Sequence, residues 1–226
     1  MGSEGNGMKY SQEFIEQDTN TLQFRAVADF FGNKRDGFFI EMGAADGILA
    51  SNTYRFERDF GWNGILIEPI ENYYNDISVN RPTTKFTFNV CVGEIEGSVE
   101  FKRIEGNSKL LSGIIDKCST AHCSRIEREV LAMDQVIHID SIPCRRMDAI
   151  LKECDTNHVD YCSIDVEGGE LSVLKSISME TSPIRPILFG VENNYNTTEV
   201  LDYLAEFGYQ RIGSIGGDDF FYRGYP

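Results

Sequence analysis

The run Phe38-Phe39-Ile40-Glu41-Met42-Gly43-Ala44-Ala45-Asp46-Gly47 constrains the fold more than any other stretch. An apolar segment ends in an acid and then in a loop of small residues. That is the pattern of a buried strand feeding a turn beneath a bound group. Gly43 lets backbone approach a ligand closely, and Gly47 frees a second sharp turn. Glu41 closes a strand expected to be buried on both faces, where an acid is costly unless it has partners. Gly64-Ile65-Leu66-Ile67-Glu68-Pro69 repeats the pattern one strand–helix–strand unit downstream. This is the spacing at which an acid grips a ribose diol. Between the two runs, Ser51 or Asn52 can cap a helix running through Phe60, and Gly61 stops it. Together they read as a nucleoside-binding βαβ unit.

The loop chemistry selects the nucleoside. A dinucleotide requires Gly-x-Gly-x-x-Gly, in which the second glycine admits the pyrophosphate to a helix N-terminus. Here Gly43 is followed by Ala44, Ala45 and Asp46. The second glycine is absent, and a carboxylate stands where phosphate would press. A sulfonium cofactor with an amino group suits that loop, so S-adenosylmethionine is expected over NAD, FAD or ATP. No P-loop sequence is present.

A second signature is Val159-Asp160-Tyr161-Cys162-Ser163-Ile164-Asp165-Val166-Glu167-Gly168-Gly169-Glu170. It is again an apolar strand ending in acids and glycines, followed by helical spacing of Leu171, Val173, Leu174 and Ile177. Helices are expected over 10–32, 70–79 and 200–207, and strands over 85–92, 98–101 and 184–191. A closing hairpin is expected from Tyr209 to Arg223 through Gly216-Gly217. Strands alternating with helices imply a doubly wound α/β sheet, with ligands at the C-terminal strand ends. Residues 103–140 read as irregular, with a short helix from Arg125 to Met133. They are expected to be a lid or substrate-binding insertion.

The remaining composition narrows function. The chain has 226 residues, enough for one buried domain, expected over 10–226 with 1–9 as a linker or fusion scar. Such a start fits a piece of a longer multidomain chain. The formal net charge of −15 and the lack of a basic run argue against a nucleic-acid partner and for a neutral or cationic substrate. No membrane span or signal peptide is seen, and a cytoplasmic location is expected. The six cysteines form no CxxC pair, so a reduced chain without a disulfide framework is expected. Cys118, His122 and Cys123 lack the second ligand pair that zinc needs. Asn196-Thr197-Thr198 reads as a helix start.

The two signatures, together with Ser51-Asn52-Thr53, Asn80-Arg81-Pro82, Ser112-Gly113-Ile114 and Pro143-Cys144-Arg145-Arg146-Met147-Asp148, make the chain resemble the FkbM family of class I methyltransferases. The resemblance covers most of the chain from about residue 36. It implies a Rossmann-like, mostly parallel seven-stranded sheet with an antiparallel C-terminal hairpin strand. It also implies O-methylation of a sugar or other small hydroxylated acceptor.

On that footing, Glu41, Gly43, Ala44 and Asp46 are expected beneath the methionine portion of the cofactor, with Asn52 holding its carboxylate. Glu68 and Pro69 are expected at the ribose, Asn89 at the adenine edge, and Asp165 and Val166 beside the transferring methyl. Carboxylates suit diols because they are bidentate acceptors. Asp165 is the expected base, with Glu192 the second catalytic acid and His122 or His138 further candidates. Ser112, Glu167 and Asn193 are expected to hold the acceptor, although Glu167 can instead cap the helix that follows it. No metal is expected, although Asp165, Glu192 and Asn193 offer oxygen ligands.

Two other readings stay open. One is a nicotinamide oxidoreductase on the same βαβ unit, against which the missing glycine counts. The other is an inactive binding module, against which the retained Glu41, Glu68 and Asp165 count.

Overall fold

The computed structural model describes residues 19–224. The expected linker and the first part of the expected 10–32 helix, including Phe14, lie outside those residues. What is described begins with α1 (Thr19–Phe30), and Gly32 follows in the left-handed region. Then come β1 (Phe38–Met42), α2 (Tyr54–Phe60), β2 (Asn63–Ile67), α3 (Glu71–Asn80) and β3 (Phe86–Phe88). Next are β4 (Cys91–Val92), β5 (Gly97–Glu105), β6 (Gly113–Ile114), α4 (Thr120–Met133) and β7 (Val136–Arg145). The chain closes with α5 (Met147–Glu153), β8 (Tyr161–Ile164), α6 (Glu170–Lys175), β9 (Leu188–Glu192), α7 (Glu199–Glu206), β10 (Gln210–Ile215) and β11 (Asp218–Tyr222).

Seven strands form the main sheet in the order β10-β11-β9-β8-β1-β2-β3. Strands β3, β2, β1, β8 and β9 run parallel, and β11 inserts antiparallel between β9 and β10. This is the expected doubly wound sheet with its C-terminal hairpin. Alternation along β1 explains the two core layers. Ile40 and Met42 face a cluster with Ile65, Ile164, Met147 and Leu174. Phe39 faces the opposite cluster with Leu66, Tyr161, Phe56 and Trp62.

The expected 85–92 strand is broken in two. The Asn89 side-chain amide donates to the carbonyls of Glu68 and Pro69, at 2.9 and 3.0 Å, and draws the chain over the end of β2. Strand β3 therefore stays in the main sheet, while β4 joins a second sheet of order β4-β7-β5-β6. Residues 103–140 are accordingly not irregular. Strands β5 and β7 pair antiparallel from Gly97↔Cys144 to Glu105↔Val136. Helix α4 packs Ile126 against Ile104 and Leu111. It begins at Thr120, well before Arg125, because the Ser119 hydroxyl accepts from the His122 N–H at 3.1 Å.

The expectation of a fully reduced chain is corrected: Cys118 and Cys123 form a disulfide beside this cap. Cys91, Cys144, Cys154 and Cys162 are free and buried. Among the described residues no helix is long and apolar enough to cross a membrane.

The loop after β1 is fixed from both sides. The N–H groups of Gly43 and Ala44 donate to the Ile67 carbonyl, and the Asp165 N–H donates to the Met42 carbonyl. Gly43 sits at φ 80°, and a Cβ there would lie 1.8 Å from the Asp165 carbonyl oxygen. Gly43→Ala should therefore destabilise the protein by at least about 1–3 kcal/mol, the scale of a strained backbone site. Gly213→Ala, which meets open space, should stay within about 0.5 kcal/mol of the parent. Urea unfolding of both variants checks this; equal stabilities would contradict the tight approach of β1 and β8.

Candidate active site

The C-terminal ends of β1, β2 and β8 open onto one cleft of about 870 Å³, roofed by residues of the second sheet. Of the residues expected at the cofactor or acceptor, Gly43, Glu68, Pro69, Ser112, Asp165, Val166 and Glu167 line it. Glu68 is the most informative. Its Oε2 accepts from the Ala45 N–H at 2.9 Å and its Oε1 from the Ile70 N–H at 2.8 Å. Each oxygen thereby keeps lone-pair capacity for a hydroxyl in the cleft, which is what a ribose diol needs. Burial raises its pKa to about 8. Ala45, held in the left-handed region at φ 45°, aims its N–H at that carboxylate.

Glu41, Ala44, Asp46, Asn52 and Asn89, also expected at the cofactor, do not line the cleft and are packed against or bonded to protein groups. Glu41 is buried and accepts from the Asn52 N–H at 2.6 Å, the Ser51 hydroxyl at 2.9 Å and the Thr53 hydroxyl at 2.5 Å. Burial raises its pKa, and Arg81, 3.9 Å away, opposes that rise. The Asn52 amide donates to the Ser163 hydroxyl at 3.0 Å and accepts from Asn20 at 2.8 Å. Asp46 accepts from the N–H groups of Ile48 and Leu49. Ala44 is buried in the core, and Asn89 bridges the end of β2 as described.

At the β8 end, Asp165, Glu167 and Glu192 offer carboxylate oxygens within 4.8 Å of one another. Burial raises the pKa of all three. Repulsion from Asp218 adds to Asp165, and repulsion from Asp165 adds to Glu167 and Glu192. Glu192 is pushed furthest. Asp165 and Glu192 stand too close for both to be charged, so the pair shares a proton. Three oxygens so placed are also a hard-cation ligand set.

Glu170, not Glu167, ties the loop down. Its Oε1 accepts from the N–H groups of Gly168 and Val166 at 2.9 and 3.2 Å. Glu167 instead adopts φ 58° and faces the insertion. Asn193 is turned toward its own loop, donating to the Thr197 carbonyl and to Asp219 at 3.0 and 2.8 Å.

Other residues at the site were less visible in sequence. His122 is only 1% exposed. Its Nε2 lies 3.2 Å from the Leu111 carbonyl, which can only accept, so Nε2 carries the proton. Burial depresses its pKa, and the neutral ring accepts at Nδ1 from the Tyr195 hydroxyl at 3.1 Å. The same Nδ1 is 3.4 Å from Glu167 Oε2. His138 is elsewhere, beside Glu105 on the second sheet. Tyr73 and Lys109 also line the cleft, the ammonium 5.1 Å from the ring centroid. Tyr73 lies one helical turn beyond Ile70 and was findable from that spacing. Lys109 approaches only because the second sheet brings it there.

Comparison with known proteins adds the family. A family model described as Methyltransferase FkbM domain matches residues 41–211. No curated protein matches the sequence. Among solved structures, a delta-N METTL16 methyltransferase domain is 13% identical with a TM-score of 0.45, covering 96% of this chain and 85% of that one. A second METTL16 methyltransferase-domain crystal form is 14% identical with a TM-score of 0.47, over 92% and 68%. The human methyltransferase 10 domain containing protein is 10% identical with a TM-score of 0.43, over 92% and 84%.

The acids have a measurable consequence. Glu68, Asp165, Glu167, Glu170, Glu192 and Asp218 all have raised pKa values, with Glu170 at about 7 and Asp218 at about 6. In the window above the ordinary carboxylate range and up to about pH 8, the native state holds protons that the unfolded state has released. Stability therefore falls as pH rises. His122, with a depressed value, acts in the opposite sense but is one group against these six acids and Glu41. The Tm should be lower at pH 8.5 than at pH 6, and Glu68→Gln should flatten the profile. A Tm that rises over this interval would contradict the buried, protonated state of these acids.

Proposed function

The chain belongs to the FkbM methyltransferase family, and on that premise we propose that it transfers a methyl group to a hydroxyl of a carbohydrate, a glycan or deoxysugar. S-adenosylmethionine is its cofactor, and the residues of the cleft suit it. Glu68 has acceptor capacity for a ribose diol. Tyr73 and Ile70 offer apolar surface for a base, and Gly43 keeps the floor clear of a side chain. The cofactor supplies an electrophilic methyl group.

The chain's own residues hold and deprotonate the acceptor. Asp165 takes the hydroxyl proton, because it borders the cleft and shares one negative charge with the neighbouring Glu192. A positioned base of this kind contributes about 10²–10⁴-fold. Glu167 and Ser112, both on the cleft wall, hold neighbouring hydroxyls.

The observation that carries the reading is the group of three carboxylates beside the Glu68 cleft. Such a wall suits a polyol, whose adjacent hydroxyls each find an acceptor. It does not suit a flat aromatic ring. The formal charge of −15 opposes a polyanionic acceptor.

The test is incubation with methyl-labelled cofactor and a panel of glycosides, catechols and RNA, read by mass spectrometry. Glycosides should gain one methyl, with turnover unchanged by a chelator. Asp165→Asn should lower kcat by about 10²–10⁴-fold while cofactor affinity changes far less. Methylation of catechol or RNA and of no glycoside would overturn the acceptor class. Full turnover by Asp165→Asn would remove Asp165 as the base, and loss of turnover on chelation would assign the three acids to a metal.

A further inference from the structure

Away from the cleft, and independent of its chemistry, the surface carries an unusual concentration of apolar side chains. Of the eleven exposed large hydrophobic residues among those described, five fall between residues 131 and 139: Leu131, Met133, Val136, Ile137 and Ile139. The last three are on β7. One edge of β7 pairs with β5 from Val136 to Cys144. On its other edge only Cys144 and Arg145 are paired, with β4. From Val136 to Pro143 that edge has no neighbouring strand among the described residues. Proteins ordinarily blunt such an edge with lysine, proline or a short strand. Here the open edge reads Val136-Ile137-His138-Ile139-Asp140-Ser141-Ile142, rich in the residues that favour strand pairing.

We propose that β7 pairs antiparallel with β7 of a second copy of this chain, about a two-fold axis at Ile139, joining the two small sheets into one. The limits of the open edge set that register. At one end Asp134, at φ 49°, turns the chain into α4. At the other, Pro143 has no N–H to donate, and β4 occupies the edge from Cys144. The usable edge is 136–142, and its midpoint is Ile139.

In this register Ile139 meets its own copy, Val136 meets Ile142, and Ile137 meets Ser141. His138 faces Asp140 twice, and no like charges stand opposite each other. The segment is thus complementary to itself, as an isologous contact must be. Charge argues for the same place. At −15 two copies repel over most of their surface. This edge carries a single acid, Asp140, already held by Arg103 at 2.5 Å.

Sedimentation equilibrium of the full chain, with cofactor binding and circular dichroism as checks on folding, tests the proposal. Wild type should be a dimer. Ile139→Lys, at an exposed position, should stay folded and dimerise at least about tenfold more weakly, because two ammonium groups would meet at the axis. Ile139→Cys should cross-link on mild oxidation, since directly opposed Cα atoms lie about 4.5–5.5 Å apart, within disulfide reach. Ile137→Cys, facing Ser141, should not. A wild type that stays monomeric, or a dimer that Ile139→Lys leaves intact, would overturn the interface. Equal cross-linking through Ile137→Cys would overturn the register.

Discussion

The cleft depends on one buried acid that does not line it. Glu41 is the penultimate residue of β1 and lies on the face opposite Ile40 and Met42, in a layer filled mainly by aromatic and aliphatic side chains. A carboxylate there is tolerated because one neighbouring segment supplies three donors and the Arg81 guanidinium lies 3.9 Å away. The segment 51–53 gives one N–H and two hydroxyls. Arg81, itself buried, reaches the same segment and pairs with Glu57 at 2.7 Å. It also donates to the Gly47 carbonyl at 3.0 Å. Asn80 adds a bond to the Asp46 carbonyl at 2.8 Å. The loop from Gly43 to Thr53 is thereby clamped between β1 and the end of α3. Only then can Ala45 hold φ 45° and present its N–H to Glu68.

The opposite half of the cleft works by electrostatics. Asp165, Glu167 and Glu192 are too close for all to be charged, and Asp218 and Glu170 press on them from below. Protons must be shared among them, so the group is a store of hydrogen-bond donors as well as acceptors. The insertion completes this half. His122 on α4 joins Leu111, Tyr195 and Glu167, contributed by the connection between β5 and β6, the loop after β9 and the loop after β8. The folding of the insertion and the geometry of the acids are therefore coupled.

Much of this was legible in sequence. The main sheet was readable because four of its five parallel strands are short apolar runs closed by an acid or glycine, β3 being followed instead by Asn89, and the cleft lies where those runs end. Glu68 and Asp165 were placed correctly at strand ends for that reason. The protein partners of Glu41, Asn52 and Asp46 were not readable. A polar residue beside a binding loop looks the same whether it touches a ligand or its neighbours, and only long-range partners such as Arg81 and Ser163 distinguish the two. Of the second sheet, the 98–101 part of β5 was readable, but β7 was not, because Val136, Ile137 and Ile139 are exposed and the strand lacks the inward and outward alternation that marks a half-buried strand. The 118–123 disulfide closes a loop of a few residues within one turn, where no spacing rule signals it.

That Glu41, outside the cleft lining, fixes the loop that shapes the cleft is the claim on which the rest stands. Hydrogen exchange of the 43–53 amides in Glu41→Gln, measured alongside cofactor titration, tests it most directly. The account predicts faster exchange at Asn52 and its neighbours, together with lower global stability and weakened cofactor binding. Native protection throughout 43–53 with a selective loss of cofactor affinity would contradict it, and would make Glu41 a ligand contact.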